Sequence, residues 1–138
     1  MNSLYTEEAI SKGGRSGTIK TPDGVPIVRL GNPFEKGADK HGSNPELLFA
    51  AAYSACFHDA FMKAAQKLGK TVTESMVRVL LSLMDDPSGG TRLAVEVRAR
   101  LPGMSRTDTQ RLMEAARQSC PYSKALRGDV SLSLMVDE

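Results

Sequence analysis

Thiol and metal chemistry have few candidate side chains in this sequence: two cysteines, Cys56 and Cys120, with no Cys-x-x-Cys, and two histidines, His41 and His58, at no zinc-ligand spacing from either thiol. A structural metal site is therefore not expected. Cys56 falls midway along the most apolar stretch of the chain. It reads first as a small core hydrophobe. It also reads as a nucleophilic thiolate, because at helical spacing its neighbours are Ala52 and Ala60, which leave a hollow beside the sulfur with Phe49 and Tyr53 as an aromatic wall. Phe49, Tyr53, Phe57 and Phe61 recur at every fourth residue, a spacing that fits core packing before it fits a substrate wall. Cys120 lies in Ser119-Cys120-Pro121-Tyr122-Ser123, where Pro121 ends a helix; it is either an incidental half-buried thiol or one on a breakable end, free to travel. Glu46 reads as a first-turn charge stabilised by the helix dipole, and Arg15, in Gly13-Gly14-Arg15, as a solvated turn residue. His58, two residues from Cys56, points to another side of a helix, which disfavours a Cys-His nucleophile pair. His41 is a loop residue with no role assigned.

The elements that must position these groups are legible from periodicity and punctuation. Segments 4–12, 16–20 and 25–30 read as three antiparallel strands, joined at Gly13-Gly14 and at Pro22-Asp23-Gly24. Segment 31–43, punctuated by Gly and Pro and without a period, is a loop. Asn44 can cap a helix, Pro45 suits its first position and Glu46 its positive first turn, so a helix is predicted from there to about Leu68, where Gly69 stops it. It is apolar around nearly its whole circumference, which predicts burial on most sides and, in so short a chain, a dimer core. Val77 to Leu83 and Leu93 to Leu101 alternate as two strands of a hairpin turning at 86–90; Ser105 or Thr107 caps an amphipathic helix ending after Cys120; Val130 to Val136 is a last strand. The pattern is α+β, an antiparallel sheet packed on a long central helix.

The 138 residues fit a single domain spanning the chain, and 41% apolar with 25% charged residues excludes wholesale disorder or a fibrous repeat. A net charge of +2 with interspersed signs gives no footprint for nucleic acid or an anionic membrane surface. No apolar run approaches the roughly 18 residues of a membrane span, and the first residues lack a leader's basic and apolar regions, so a cytoplasmic protein is expected. In a reducing cytosol two cysteines are seldom a permanent staple; if these thiols meet, they do so during a catalytic or sensing cycle.

Three motifs in order, Gly13-Gly14-Arg15, NPELLFAAAYSACF from Asn44 to Phe57 and CPYSKALRGDV from Cys120 to Val130, resemble the organic hydroperoxide resistance proteins, the Ohr branch of the OsmC-like superfamily. The resemblance spans most of the chain. It implies the OsmC-like fold, an intertwined homodimer, and a thiol peroxidase that reduces organic hydroperoxides. It further implies Arg15, Glu46, Cys56 and Cys120 as the working residues, no bound cofactor or metal, and dihydrolipoamide or a lipoylated protein as external reductant. Leu47 and Asp129 stand where the family often has Gln and Asn, and neither touches the four working residues.

The chemistry so implied makes a demand of its own. A thiol among Ala and Phe is pushed toward its inert protonated form unless a cation lies beside it, and Arg15, fixed by Glu46, is the candidate. Peroxide attack would leave Cys56 as a sulfenic acid, which Cys120 would capture as a disulfide for a dithiol to reduce. In a continuous helix Glu46 and Cys56 are about 15 Å apart along the axis, too far for one guanidinium to serve both. The expectation is that Arg15 and Glu46 reach Cys56 of the partner subunit, or else that the helix is broken between them. Two other functions compete: a non-enzymatic redox sensor built on the same two cysteines, and a hydrophobic-ligand carrier using the hollow beside Phe49 and Tyr53.

Overall fold

The computed structural model describes residues 2–37, 42–128 and 130–137. His41 and Asp129 lie outside the described residues, as does part of the predicted loop 31–43. The elements run β1 (Ile10–Lys12), a 3-10 turn (Gly14–Ser16), β2 (Thr18–Lys20), β3 (Pro26–Arg29), α1 (Pro45–Lys67), β4 (Met76–Asp85), β5 (Thr91–Arg100), α2 (Arg106–Ser119), α3 (Pro121–Ala125) and β6 (Ser131–Val136). They fall into two compact units, Met1–Leu48 and Phe49–Glu138.

In the first unit β1, β2 and β3 form an antiparallel meander in sequence order, with Ile10 opposite Lys20 and Ile19 opposite Val28. The predicted first strand is shortened to its last three residues. The physical reason lies in its neighbour: β2 ends at Lys20, where the Thr21 and Gly24 amides bond the Val25 and Thr21 carbonyls in the turn, so residues before Ile10 have no ladder to join. The second strand also starts later than predicted, because Gly13 and Gly14 both take positive φ (82° and 56°) and wind Gly14–Ser16 into a 3-10 turn. Gly17 then lets the chain pass Lys12, since a Cβ there would stand 1.7 Å from the Lys12 carbonyl oxygen. Among the described residues of this unit, Leu30 alone is buried.

The helix signal at Asn44 is realised as read: the Asn44 carboxamide oxygen accepts from the Leu47 amide at 2.8 Å and caps α1. Its far end closes at Gly69, where the Gly69 and Lys70 amides bond the Gln66 and Ala65 carbonyls.

The second unit holds the core. β4 and β5 pair antiparallel along ten residues from Met76 opposite Arg100 to Asp85 opposite Thr91, and the turn between them is closed by Asp86, whose carboxylate accepts from the Ser88 amide at 2.9 Å. β6 joins the other edge of β5 in parallel, with Val95 opposite Leu132, Val97 opposite Leu134 and Ala99 opposite Val136. This differs from the wholly antiparallel sheet predicted. Parallel pairing needs a long crossover, and α2 and α3 between β5 and β6 supply one. Three aligned rows, led by Val95, Val97 and Ala99, turn one apolar face toward Leu112, Met113 and Ala116 of α2.

α1 contributes Tyr53, Phe57, Phe61 and Ala65 to the same core, one residue per turn on a single stripe. The prediction of burial on most sides is met on that stripe only; Ala51, Ala52 and Ala55 are exposed in the single chain. Ser105, and not Thr107, caps α2, accepting from the Asp108 amide at 3.1 Å. Pro121 ends that helix as expected, but it also opens a new one, α3, at the first-turn position where a missing N–H costs nothing.

Candidate active site

Each unit holds one half of the predicted machinery. In the first, the two positive-φ glycines turn Arg15 toward Glu46 in the first turn of α1. The guanidinium makes a bidentate fork, Nη1 to Oε2 at 2.8 Å and Nη2 to Oε1 at 2.5 Å. The fork holds the Glu46 carboxyl below its ordinary value and keeps Arg15 firmly charged. The side chains are only 19% (Glu46) and 35% (Arg15) exposed. The Arg15 guanidinium carbon also lies 5.8 Å from the centroid of Phe34, a cation–π contact. Arg15 is thus a fixed cation rather than the free turn residue its position first suggests.

In the second unit, Cys56 on α1 and Cys120 at the joint of α2 and α3 are brought together across 64 residues of sequence, their Sγ atoms 3.0 Å apart. Both are free thiols, closer than van der Waals contact and beyond the about 2.05 Å of a covalent disulfide. Cys120 is fully buried; its amide caps α2 through the Ala116 carbonyl at 2.8 Å, and its carbonyl accepts from Lys124 at 3.1 Å at the start of α3. Burial, then the hydrogen bond with Cys120, pushes the Cys56 thiol up to about 11, while the Tyr122 backbone N–H pulls the other way. Taken alone, these surroundings favour the protonated thiol at Cys56.

Cys56 borders a cavity of about 1370 Å³ lined by residues of α1, α2 and the segments flanking them, with Ala60, Ala64, Met104 and Leu112 as its apolar walls and Lys63, Lys67, Asp108 and Arg111 among its charged ones. Of the predicted hollow, Ala60 lines this cavity, whereas Phe49, Tyr53 and Phe57 do not. Tyr53 and Phe57 have no exposed surface, and Phe49 is half-buried. The aromatic series instead clamps α3. The Tyr122 ring stacks on Tyr53 (centroids 6.2 Å, 18°) and meets Phe49 edge-on (6.3 Å, 84°). Ser123 Oγ and the Tyr53 hydroxyl are 2.6 Å apart.

The sequence motif by itself gives Tyr122 and Ser123 no role. The available signal was Pro121, which reads as a helix stop but equally fits the first position of a helix, and that reading puts Ser123 one turn beyond Cys120. His58 faces away from Cys56 as predicted and pairs with Ser75 Oγ at 2.9 Å. The described residues contain no group of three or more His, Cys, Asp or Glu able to hold a metal ion, and no helix long and apolar enough to cross a membrane. Because α1 is unbroken from Pro45 to Lys67, the alternative of a helix break between Glu46 and Cys56 is removed.

Comparison with known proteins gives a consistent result. The family model for OsmC-like proteins matches residues 37–135. The organic hydroperoxide resistance protein of Xanthomonas axonopodis pv. citri is 40% identical over 133 residues, covering 95% of this chain and 93% of that protein. The crystal structure of the organic hydroperoxide resistance protein OhrB of Bacillus subtilis superposes with a TM-score of 0.88 at 37% identity, covering 98% of this chain and all of that one. An organic hydroperoxide resistance protein from Legionella pneumophila gives the same TM-score at 35% identity, covering 99% and 100%.

Proposed function

This chain belongs to the OsmC-like family, and on that premise we propose that it is a thiol peroxidase that reduces organic hydroperoxides to alcohols. Relatives named for organic hydroperoxide resistance, aligned over nearly the whole chain, support the peroxide-detoxifying role. The observation that carries the mechanism is the pair of free sulfurs 3.0 Å apart, one facing a cavity and the other fully buried behind it. The Cys56 thiolate attacks the peroxide: the O–O bond breaks, one oxygen passes to sulfur as a sulfenic acid, and the alkoxide leaves as alcohol with a proton. Cys120 then displaces the sulfenic hydroxyl as water and closes a disulfide. A dihydrolipoyl group, free or on a lipoylated protein, reduces it by thiol–disulfide exchange. No bound metal or cofactor takes part.

The thiol pushed up to about 11 needs a cation, and Arg15, fixed by Glu46, is one with guanidinium N–H donors left for a further acceptor. With α1 continuous, we assign Arg15 and Glu46 to Cys56 of the partner subunit in a homodimer. The first unit, which buries Leu30 alone among its described residues, supports this assignment, and we read both units as parts of one domain completed by dimerisation. Of the three aromatic residues expected to bind substrate, only Phe49 keeps exposed surface with which to do so, Tyr53 and Phe57 being sealed in the core. Apolar walls favour alkyl and fatty-acid hydroperoxides over hydrogen peroxide by about 0.8 kcal/mol per buried methylene. Interspersed charge argues against nucleic acid or membrane as partner, and free thiols suit the cytoplasm.

The test is a free-thiol count. One equivalent of tert-butyl hydroperoxide is expected to remove two thiols per chain and dihydrolipoamide to restore both over many cycles. A redox sensor on the same cysteines would react about once, and a ligand carrier would consume no peroxide.

A further inference from the structure

We propose that the buried hydrogen bond between Tyr53 and Ser123 is a positioning device that holds Cys120 within bonding reach of Cys56 and so sets how fast oxidised Cys56 is captured as a disulfide. The inference rests on the peroxidase reading above and adds two residues to it. Its basis is a geometric parallel. Tyr53 stands three residues before Cys56 on α1, and Ser123, on α3, three residues after Cys120 at its N-cap, so α1 meets this segment twice, one turn apart: sulfur to sulfur at 3.0 Å and hydroxyl to hydroxyl at 2.6 Å. Tyr53 is 0% exposed and Ser123 2%, so this second junction is shielded from water, where a hydrogen bond is electrostatically stronger than at the surface. The stacked Tyr122 ring and the Tyr122 N–H directed at Cys56 tie the intervening residue of α3 to the same face of α1.

The consequence is kinetic. Cys120 sits at a helix joint, with its amide bonded to α2 and its carbonyl to α3, a point where the backbone can hinge. If α3 swung away, Cys120 would leave Cys56 as an exposed sulfenic acid, open to a second hydroperoxide and oxidation to the sulfinic state. With the hydroxyls joined, closing the bond needs a movement of about 1 Å, within the range of side-chain rotation, and the hydroxyl of the sulfenic acid leaves with the Cys120 proton as water. Tyr53 and Ser123 touch no reacting atom in this scheme; they act through the placement of Cys120.

The experiment separates placement from mere stability. Ser123→Ala is expected to leave the first oxidation of Cys56 by cumene hydroperoxide at its wild-type rate, to slow disulfide closure about tenfold, and to raise the share of Cys56 reaching sulfinic acid per turnover, read by stopped-flow and mass spectrometry. The double variant Tyr53→Phe/Ser123→Ala removes both hydroxyls, leaves no orphaned polar group, and should regain much of the melting temperature lost in the single variant. Under the positioning role its disulfide closure stays slow. If closure recovers together with stability, or if Ser123→Ala closes as fast as wild type, the inference is overturned. Should the wild-type protein itself lose no thiols to hydroperoxide, the peroxidase reading fails with it, an outcome distinguishable by the absence of any first oxidation.

Discussion

The two units of this chain are held together by different physics. Phe49–Glu138 packs four side chains of α1, the inner face of β5 and one face of α2 into a continuous apolar core, with both sulfurs inside or at its edge. Met1–Leu48 buries Leu30 alone among its described residues, leaves Ile27 52% and Phe34 72% exposed, and is ordered by turn hydrogen bonds, a three-stranded meander and one bidentate ion pair. Reactivity is divided the same way. The unit with the core holds both thiols and pushes Cys56 up to about 11; the unit with the fixed cation buries Leu30 alone among its described residues. The difference teaches that the cation and the thiol it would activate under the proposed mechanism are ordered by separate sets of contacts.

The largest effect expected to sharpen this comparison comes from separating the halves. Cys56→Ser and Glu46→Ala chains should each be nearly inactive as homodimers, whereas mixed dimers regain activity through the one intact site that each hybrid contains. Hybrids no more active than their parents would break the shared-site reading. Next in size, Arg15→Ala should lower the rate with cumene hydroperoxide at neutral pH by on the order of 100-fold, because Cys56 returns to its buried, protonated state. The sign of the pH dependence follows. With the thiol pushed up to about 11, the thiolate fraction grows as pH rises toward that value, so the variant is partly rescued in alkaline buffer while the wild-type profile is flatter. An Arg15→Ala profile without an alkaline rise would break the assignment of Arg15 as the activating cation.

Stability should divide along the same line. Phe61→Ala, which empties a fully buried site in the second unit, should cost about 3–5 kcal/mol in denaturant unfolding at any protein concentration. Ile27→Ser, on the exposed sheet of the first unit, should cost under about 0.5 kcal/mol if that sheet faces water. If it is covered by a second copy, the loss is larger and the melting temperature falls on dilution. The smallest expected effect is the acid response of the ion pair. The Glu46 carboxyl is held below its ordinary value of 4.5, so the stabilisation from the fork is complete above that pH and is lost as pH falls below it. Glu46→Gln should remove this contribution near neutrality and flatten the acid limb of a thermal-melting profile.

Much of the fold was legible along the chain because its signals are local. Asn44, Pro45 and Gly69 mark the ends of α1 through bonds that span three to five residues, and the alternation of Leu93, Val95, Val97 and Ala99 is a property of one strand. The shortened β1 was not legible, since its extent depends on where β2 stops pairing. Nor was the parallel placement of β6, whose own alternation is the same whichever way its neighbour runs. Of the site, Arg15, Glu46, Cys56 and Cys120 could be picked out by residue type, motif and resemblance. Their contacts could not. Phe49, Tyr53 and Phe57 show the limit from the other side: a stripe at every fourth residue states that one helix face is covered, and only packing revealed that Tyr53 and Phe57 are sealed into the core and that Tyr122 is what covers Tyr53.

By itself, then, the sequence determined the chemical inventory, a lone pair of thiols with one arginine and one glutamate in motif positions, and the helices and strands that carry them. Tertiary structure alone decided that Cys56 and Cys120, 64 residues apart, stand 3.0 Å from each other, that Arg15 grips Glu46, and that Tyr53 meets Ser123. The reason is the range of the forces involved. Capping and periodicity are settled between residues a turn apart, whereas these contacts follow from how helices and strands pack once distant segments have buried their apolar faces together.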